Sequence, residues 1–200
     1  MKKEDILYDH YKDTFLIQKS NEKTRNKLFV LLCIFILLLM LMVIYPNNIY
    51  DNIQELFLNK FGINIKFEIE VIEMFIWFII LYLTIRYYQI NANIEKNYNY
   101  IHELENILNN KYKLQISREG KNYLNQYPLF LTLSYSFYKY VFPIIFILCL
   151  IVKNIYNFKN RTSLSLLLTV FITICLLIIN ISYIIFNYKL RKRDDKNGKA

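Results

Sequence analysis

The chain has 200 residues, 55% of them hydrophobic, and a formal net charge of +9. Four of its stretches are apolar over a membrane's thickness. A water-soluble domain could bury one such helix but hardly four, so a soluble globular class is excluded. With only three glycines there is no Gly-rich phosphate loop.

Asp5 to Ser20 reads as an amphipathic helix. Leu7, Tyr11 and Phe15 recur every four residues among Asp9, Lys12, Asp13 and Lys19. The basic residues Lys23, Arg25 and Lys27 follow. Such a helix lies on the inner leaflet or docks on another cytoplasmic helix; its mixed charge favours docking.

The first span is Leu28 to Tyr45, closed by Pro46. At about 1.5 Å per residue it reaches roughly 27 Å, close to the hydrocarbon thickness. Its length exceeds a signal-peptide core, and no small-residue cleavage site follows. Residues 46–70 form an outer loop. There Ile49, Ile53, Leu56, Phe57 and Phe61 make an amphipathic piece ended by Gly62. Ile63, Ile65, Phe67 and Ile69 then alternate with polar residues, the pattern of a strand. An isolated strand lacks a partner, so an interfacial helix with an extended lead-in is expected.

The second span runs from Val71 to Tyr88, with Glu73 near its start and Arg86 near its end. Glu73 is the only acid inside a span. It reads as an interfacial carboxylate, the alternative being a pore-mouth or ion-coupling group. No Gly or Pro occurs between Gly62 and Gly120. One helix is therefore expected from Val71 to about Asn109, with residues 89–136 cytoplasmic. Ile94, Ile101, Leu104 and Leu108 give it an apolar seam flanked by Tyr98, Glu103 and Glu105. Two heptads do not prove a coiled coil; packing against the N-terminal helix or a neighbouring subunit accounts for the seam. Ser117 to Gly120 breaks the pattern, and Lys121 to Tyr127 reads as a short helix.

The third span is placed at Phe137 to Val152, with Lys139 snorkelling to an interface. Residues 153–163 are expected as a second outer loop. The fourth span is Leu164 to Tyr188, and residues 189–200 form a basic tail. At 100° per residue Ser165, Thr169, Thr173 and Asn180 share an arc of about 80°. That arc is either a helix-packing face or, in an oligomer, a pore lining. Ser163 and Ser182 fall outside it. The spans contain no Gly or Ala, so Ser and Thr must serve for close helix approach.

Lys and Arg number seven in residues 1–27, seven from Arg86 to Lys139 and six in the tail, against two and three in the two outer loops. The positive-inside rule then puts both termini in the cytoplasm of a bacterial inner membrane. Many of the 18 tyrosines, among them Tyr45, Tyr87, Tyr88, Tyr138 and Tyr188, fall at span ends as an aromatic belt. The expected class is an all-α integral membrane protein: four transmembrane helices with cytoplasmic helical extensions.

No catalytic constellation is legible. His10 and His102 lie outside the spans, without a second ligand at metal spacing. Cys33, Cys149 and Cys175 are odd in number and read as small buried hydrophobes. No catalytic residue, cofactor or metal is expected, and nucleic acid is not an expected partner. The expected partners are the lipid bilayer, further copies of the chain and a cytoplasmic protein. In general look the chain is similar to small multi-span proteins of anti-phage defence. Its expected function is a non-enzymatic oligomeric effector or sensor that alters membrane permeability on a cytoplasmic cue. The alternatives are a small channel or transporter subunit, or a membrane scaffold.

Overall fold

In a computed structural model of the chain, residues 3–62, 69–112, 133, 136–160 and 163–197 are described. They are almost entirely helical, with no strand among them. The alternation at 63–68 and the turn and short helix between 113 and 128 lie outside the described residues.

The first helix, α1 (Lys3–Ile44), joins the N-terminal helix and the first span without a break, because neither Gly nor Pro occurs before Pro46. The N-terminal helix and the first span expected from the sequence are thus stretches of one helix. Helix α2 (Pro46–Phe61) starts on a proline, whose missing N–H costs nothing at a first helical turn. It ends at Gly62, whose φ of 65° is left-handed and whose N–H donates to the Leu58 carbonyl at 2.9 Å. Helix α3 (Ile69–Tyr112) is continuous, as its lack of breakers predicts.

A π-helical turn, Phe137–Val141, leads into α4 (Phe142–Asn160). Pro143 explains it: a proline cannot donate to the carbonyl four residues back and clashes with it, and a widened turn takes up the misfit. Helix α4 outlasts the expected third span by two turns, carrying Lys153, Asn154 and Asn157 inside the helix rather than in a loop. Helix α5 (Ser163–Asn197) likewise runs past Tyr188 into the basic tail.

Four of these helices are long and apolar enough to cross a membrane: α1, α3, α4 with its π-turn, and α5. Their outward faces carry large exposed hydrophobics such as Leu37, Phe75, Leu148, Leu167 and Phe171. Apolar surface of that extent suits hydrocarbon contact.

The chain divides into two compact units. Unit 1 comprises residues 1–29 and 86–136. In it the first part of α1 and the last part of α3 run antiparallel: Tyr11 meets Glu105, Gln18 meets Ile94, and the Phe29 ring lies 5.9 Å from that of Tyr87. Its apolar cluster is Tyr11, Ile101, Leu104 and Leu108, with Leu7 packed against it. Phe15 is only partly buried; Thr14 and Gln18 complete the buried face of α1 instead.

Unit 2 comprises residues 30–85 and 137–200. Here α4 packs on α5, and the π-turn touches both. Buried residues of the π-turn and α4 include Lys139, Phe142, Phe146, Leu150, Lys153 and Asn157, a single stripe at helical spacing. Those of α5 fall at Thr169, Ile172, Thr173, Leu176, Asn180, Tyr183 and Asn187. Lys139 is thus 8% exposed and lies on the inner stripe, not at a surface.

Candidate functional site: a buried charge pair

Each inner stripe of unit 2 mixes apolar with polar residues, and six of the polar ones gather towards one end of the helices, with Lys139, Asn180 and Asn187 farther along the stripes. Glu73 is on the second turn of α3, while Lys153 and Asn157 are on the last turns of α4. Ser165, Thr169 and Thr173 are on the opening turns of α5. Residues 161–162 join α4 to α5, so all six lie within about 15 Å, along the helix axes, of the same end of their helices.

Glu73 is 2% exposed, enclosed among the helices rather than open at a surface. Two hydrogen-bond donors converge on its Oε1, the Asn157 amide at 3.2 Å and the Trp77 indole N–H at 3.3 Å, and Lys153 Nζ forms an ion pair with the same oxygen at 3.2 Å. Lys153 is itself fully buried, with its ammonium also 5.0 Å from the Tyr156 ring centroid. Removing two such ions from water costs several kcal/mol each, and only a close pair with further hydrogen bonds recovers it. The geometry supplies the close pair and, for Glu73, the hydrogen bonds from Asn157 and Trp77. Buried charges among apolar spans are expensive and mark functional positions more often than structural ones.

The α5 arc faces this cluster within the chain. Thr169 and Thr173 are 5% and 6% exposed, Asn180 is fully buried, and Ser165 is partly buried. The Thr169 hydroxyl donates to the Ser165 carbonyl at 2.6 Å, and the Thr173 hydroxyl to the Thr169 carbonyl at 2.8 Å. Asn154 of α4 donates to the Thr173 oxygen at 3.0 Å, an interhelical bond. Asn180 donates back to the Leu176 carbonyl at 2.7 Å. Thr173 therefore binds α4 inside one copy of the chain.

A small cleft opens beside the pair, lined by Glu70, Glu73, Met74, Asn157, Ser165 and Thr169. Its room is about 10 Å³, on the order of one water molecule. Among the described residues no three His, Cys, Asp or Glu side chains stand together as a metal-binding group.

The seam residues Ile94, Ile101, Leu104 and Leu108 lie in unit 1, all buried. Its polar partner is Glu105, which accepts from the Tyr11 hydroxyl at 3.0 Å. At the periphery Tyr98 donates to Glu22 at 2.7 Å, and His10 Nε2 lies 2.7 Å from the Tyr100 hydroxyl.

Sequence reasoning found Glu73 and the α5 arc but missed Lys153, Asn154, Asn157 and Trp77. The signal for the first three was the absence of any Gly or Pro between Pro143 and Gly198. That absence extends the helix past the point where hydropathy ends. No protein family, curated protein or solved structure matches the chain.

Proposed function

We propose that the chain is a non-enzymatic, multi-span effector of a bacterial inner membrane, acting in several copies, that changes membrane permeability when a cytoplasmic cue alters its packing. The observation that carries this reading is the Glu73–Lys153 pair with its retinue of Asn154, Asn157, Thr169 and Thr173 inside the spans. In the packing described here those groups bind one another and leave no continuous path. Should the helices separate, the same groups would line a polar route through otherwise apolar segments. Helices α1 and α3 each contribute to both units, so a partner or cue acting on their unit 1 segments acts on helices that also form the spans. The cue must bind one packing more tightly than the other. Cytoplasmic placement of unit 1 and of both termini rests on the Lys and Arg distribution. The defence setting rests on overall architecture alone.

Membrane potential in expressing cells, followed by a voltage-sensitive dye before and after phage challenge, tests the proposal. Wild type is expected to depolarise the cells only after challenge. Thr169→Val with Thr173→Val and Asn180→Leu removes the polar lining at near-constant volume and is expected to suppress the response. Absence of depolarisation by wild type, or indifference to the triple change, replaces this reading with that of a membrane scaffold.

A further inference from the structure

Unit 1 sorts its exposed charge lengthwise. Two contacts set its register: the Tyr11–Glu105 bond at one end, and the Phe29–Tyr87 ring contact at the other, from which α1 and α3 continue into their apolar stretches. In the half nearer those stretches, residues 14–29 and 86–102, the exposed charged side chains are Lys19, Lys23, Lys27, Arg86 and Lys96. No acid is exposed there among the described residues; Glu22 and Glu95 are partly buried, and Glu22 accepts from the Tyr98 hydroxyl. In the far half Asp5, Asp9, Asp13 and Glu103 are exposed, against Lys12 and Lys111. A surface that met only water would have no reason to divide its charges along the helix axis.

The basic surface ends where the apolar surface starts. Lys19, Lys23 and Lys27 are four residues apart and form one exposed ridge of α1, within an arc of about 80°. The same ridge continues as Leu31 and Ile34, both exposed. A helix face that changes from lysine to exposed leucine within one turn passes from an aqueous to a hydrocarbon setting. Arg86 stands level with that change, because its neighbour Tyr87 meets Phe29. Its guanidinium donates to Gln89 Oε1 at 3.3 Å, which turns it toward unit 1 and away from the exposed Tyr82 and Phe78. Lys23 and Lys27 are about 6 Å apart along the axis, within the roughly 5–8 Å of one headgroup layer. Lys19, whose ammonium lies over the Phe15 ring at 5.6 Å, and Lys96 are farther out and act through their field. We infer that this collar of unit 1 is a docking surface for anionic phospholipid headgroups, whose phosphates are seated by Lys23, Lys27 and Arg86. A zwitterionic headgroup cancels its phosphate with its own amine, so the preference is for lipid of net negative charge. Each basic side chain close to an anionic leaflet strengthens the attraction roughly fivefold, and three together supply on the order of a hundredfold. The inference rests on the membrane reading of the spans and not on permeability, since a seated lipid requires no flux.

The experiment offers the purified full chain equal amounts of phosphatidylglycerol and phosphatidylcholine and counts the lipids it retains by native mass spectrometry, with inorganic phosphate as a soluble competitor. Phosphatidylglycerol is expected to be retained about tenfold or more over phosphatidylcholine, with the preference falling as salt is raised and with no displacement by phosphate. Lys23→Gln with Lys27→Gln and Arg86→Gln is expected to remove most of the preference. Lys12→Gln with Lys111→Gln, in the far half, is expected to leave it. A second measurement needs no variant: hydrogen exchange of the wild-type chain in nanodiscs is expected to be several-fold slower at residues 14–29 and 86–102 in phosphatidylglycerol than in phosphatidylcholine. A chain that enters both kinds of disc yet shows no preference overturns the inference and leaves the membrane reading standing, the collar then facing water or an acidic protein. So does a preference that survives the triple change, one that is lost instead with Arg191→Gln and Arg193→Gln in the tail, displacement by phosphate, or equal exchange in the two discs. A chain that enters neither disc overturns the membrane reading and the inference with it.

Discussion

The two units each bury one glutamate, and they treat it differently. Glu105 in unit 1 and Glu73 in unit 2 are both 2% exposed, and each accepts from an aromatic side chain, Tyr11 in one case and Trp77 in the other. Around Glu105 the cationic candidate is His102, whose Nδ1 lies 3.9 Å from Oε2. Around Glu73 it is a fully buried lysine at 3.2 Å. Unit 1 is a two-helix pairing with charged residues close by, such as Lys12, Glu95 and Glu103. Unit 2 belongs to helices with apolar outward faces, where solvent cannot help an ion. An internal counter-charge then offsets the cost of burying the carboxylate. The contrast separates an edge-on carboxylate of a packing seam from a charge pair retained where it is most costly.

The largest expected effect comes from breaking that pair. Lys153→Leu or Glu73→Leu alone leaves an uncompensated charge among apolar helices and is expected to cost about 3–5 kcal/mol. Thermal unfolding of the detergent-purified chain checks it. The double change Glu73→Leu with Lys153→Leu is expected to regain most of the loss, because neither charge is then stranded. A double variant as unstable as the sum of the singles would mean that the residues act separately, and the comparison between the two glutamates would fall with it.

Next in size is the unit 1 seam. Leu104→Ala removes a side chain that is 4% exposed within the cluster of Tyr11, Ile101 and Leu108, and is expected to cost about 2–4 kcal/mol. Hydrogen exchange should quicken in residues 3–29 and 86–112 and change little in 137–189. Equal loosening of both stretches would show that the units do not open separately, and would sharpen the proposal that a cue at unit 1 reaches the spans.

These contrasts were unevenly legible in the sequence. The seam was readable because Ile94, Ile101, Leu104 and Leu108 repeat at helical spacing in a stretch without Gly or Pro. The continuity of α3 followed from the same absence. The third span was cut short at Val152 because hydropathy falls at Lys153 and Asn154. Charge alone, however, does not end a helix, and no Gly or Pro occurs at that point. A lysine after an apolar run reads as the start of a loop unless its partner is known, and the partner, Glu73, is 80 positions earlier. Hydropathy cannot express a pair so distant. With the buried Lys139 and Lys153 both withdrawn, the Lys and Arg distribution stands at nineteen against four, still in the direction expected for cytoplasmic termini. The α5 arc was visible as a face, but whether it looked at α4 or at another copy was not, since periodicity specifies a side of a helix and not its neighbour.

A smaller effect is expected from Tyr11→Phe. It deletes the hydroxyl that donates to Glu105 at 3.0 Å while keeping the ring in the seam, so about 1 kcal/mol is at stake. If Glu105 depended on Tyr11 as Glu73 depends on Lys153, the loss would approach that of the pair. A value near 1 kcal/mol in chemical denaturation keeps the two glutamates in different classes.

The smallest expected effect is also the one that bears most directly on function. Thr173→Val exchanges a hydroxyl for a methyl at nearly constant volume. The hydroxyl makes two bonds, donating to the Thr169 carbonyl and accepting from Asn154. The first is a local bond to the same helix, and its loss leaves a carbonyl that retains its helical partner. Only the second links helices, and such bonds inside membranes average about 0.6 kcal/mol. A stability change below about 1 kcal/mol is therefore expected, measured by thermal unfolding beside Asn154→Leu and the double variant. The double is expected to be no worse than Asn154→Leu alone, since the interaction is then already absent. A small stability effect combined with a large loss of challenge-induced depolarisation would show that the Thr173 oxygen matters in another packing of the helices than the one in which Asn154 holds it. A small effect on both would reduce the arc to helix packing.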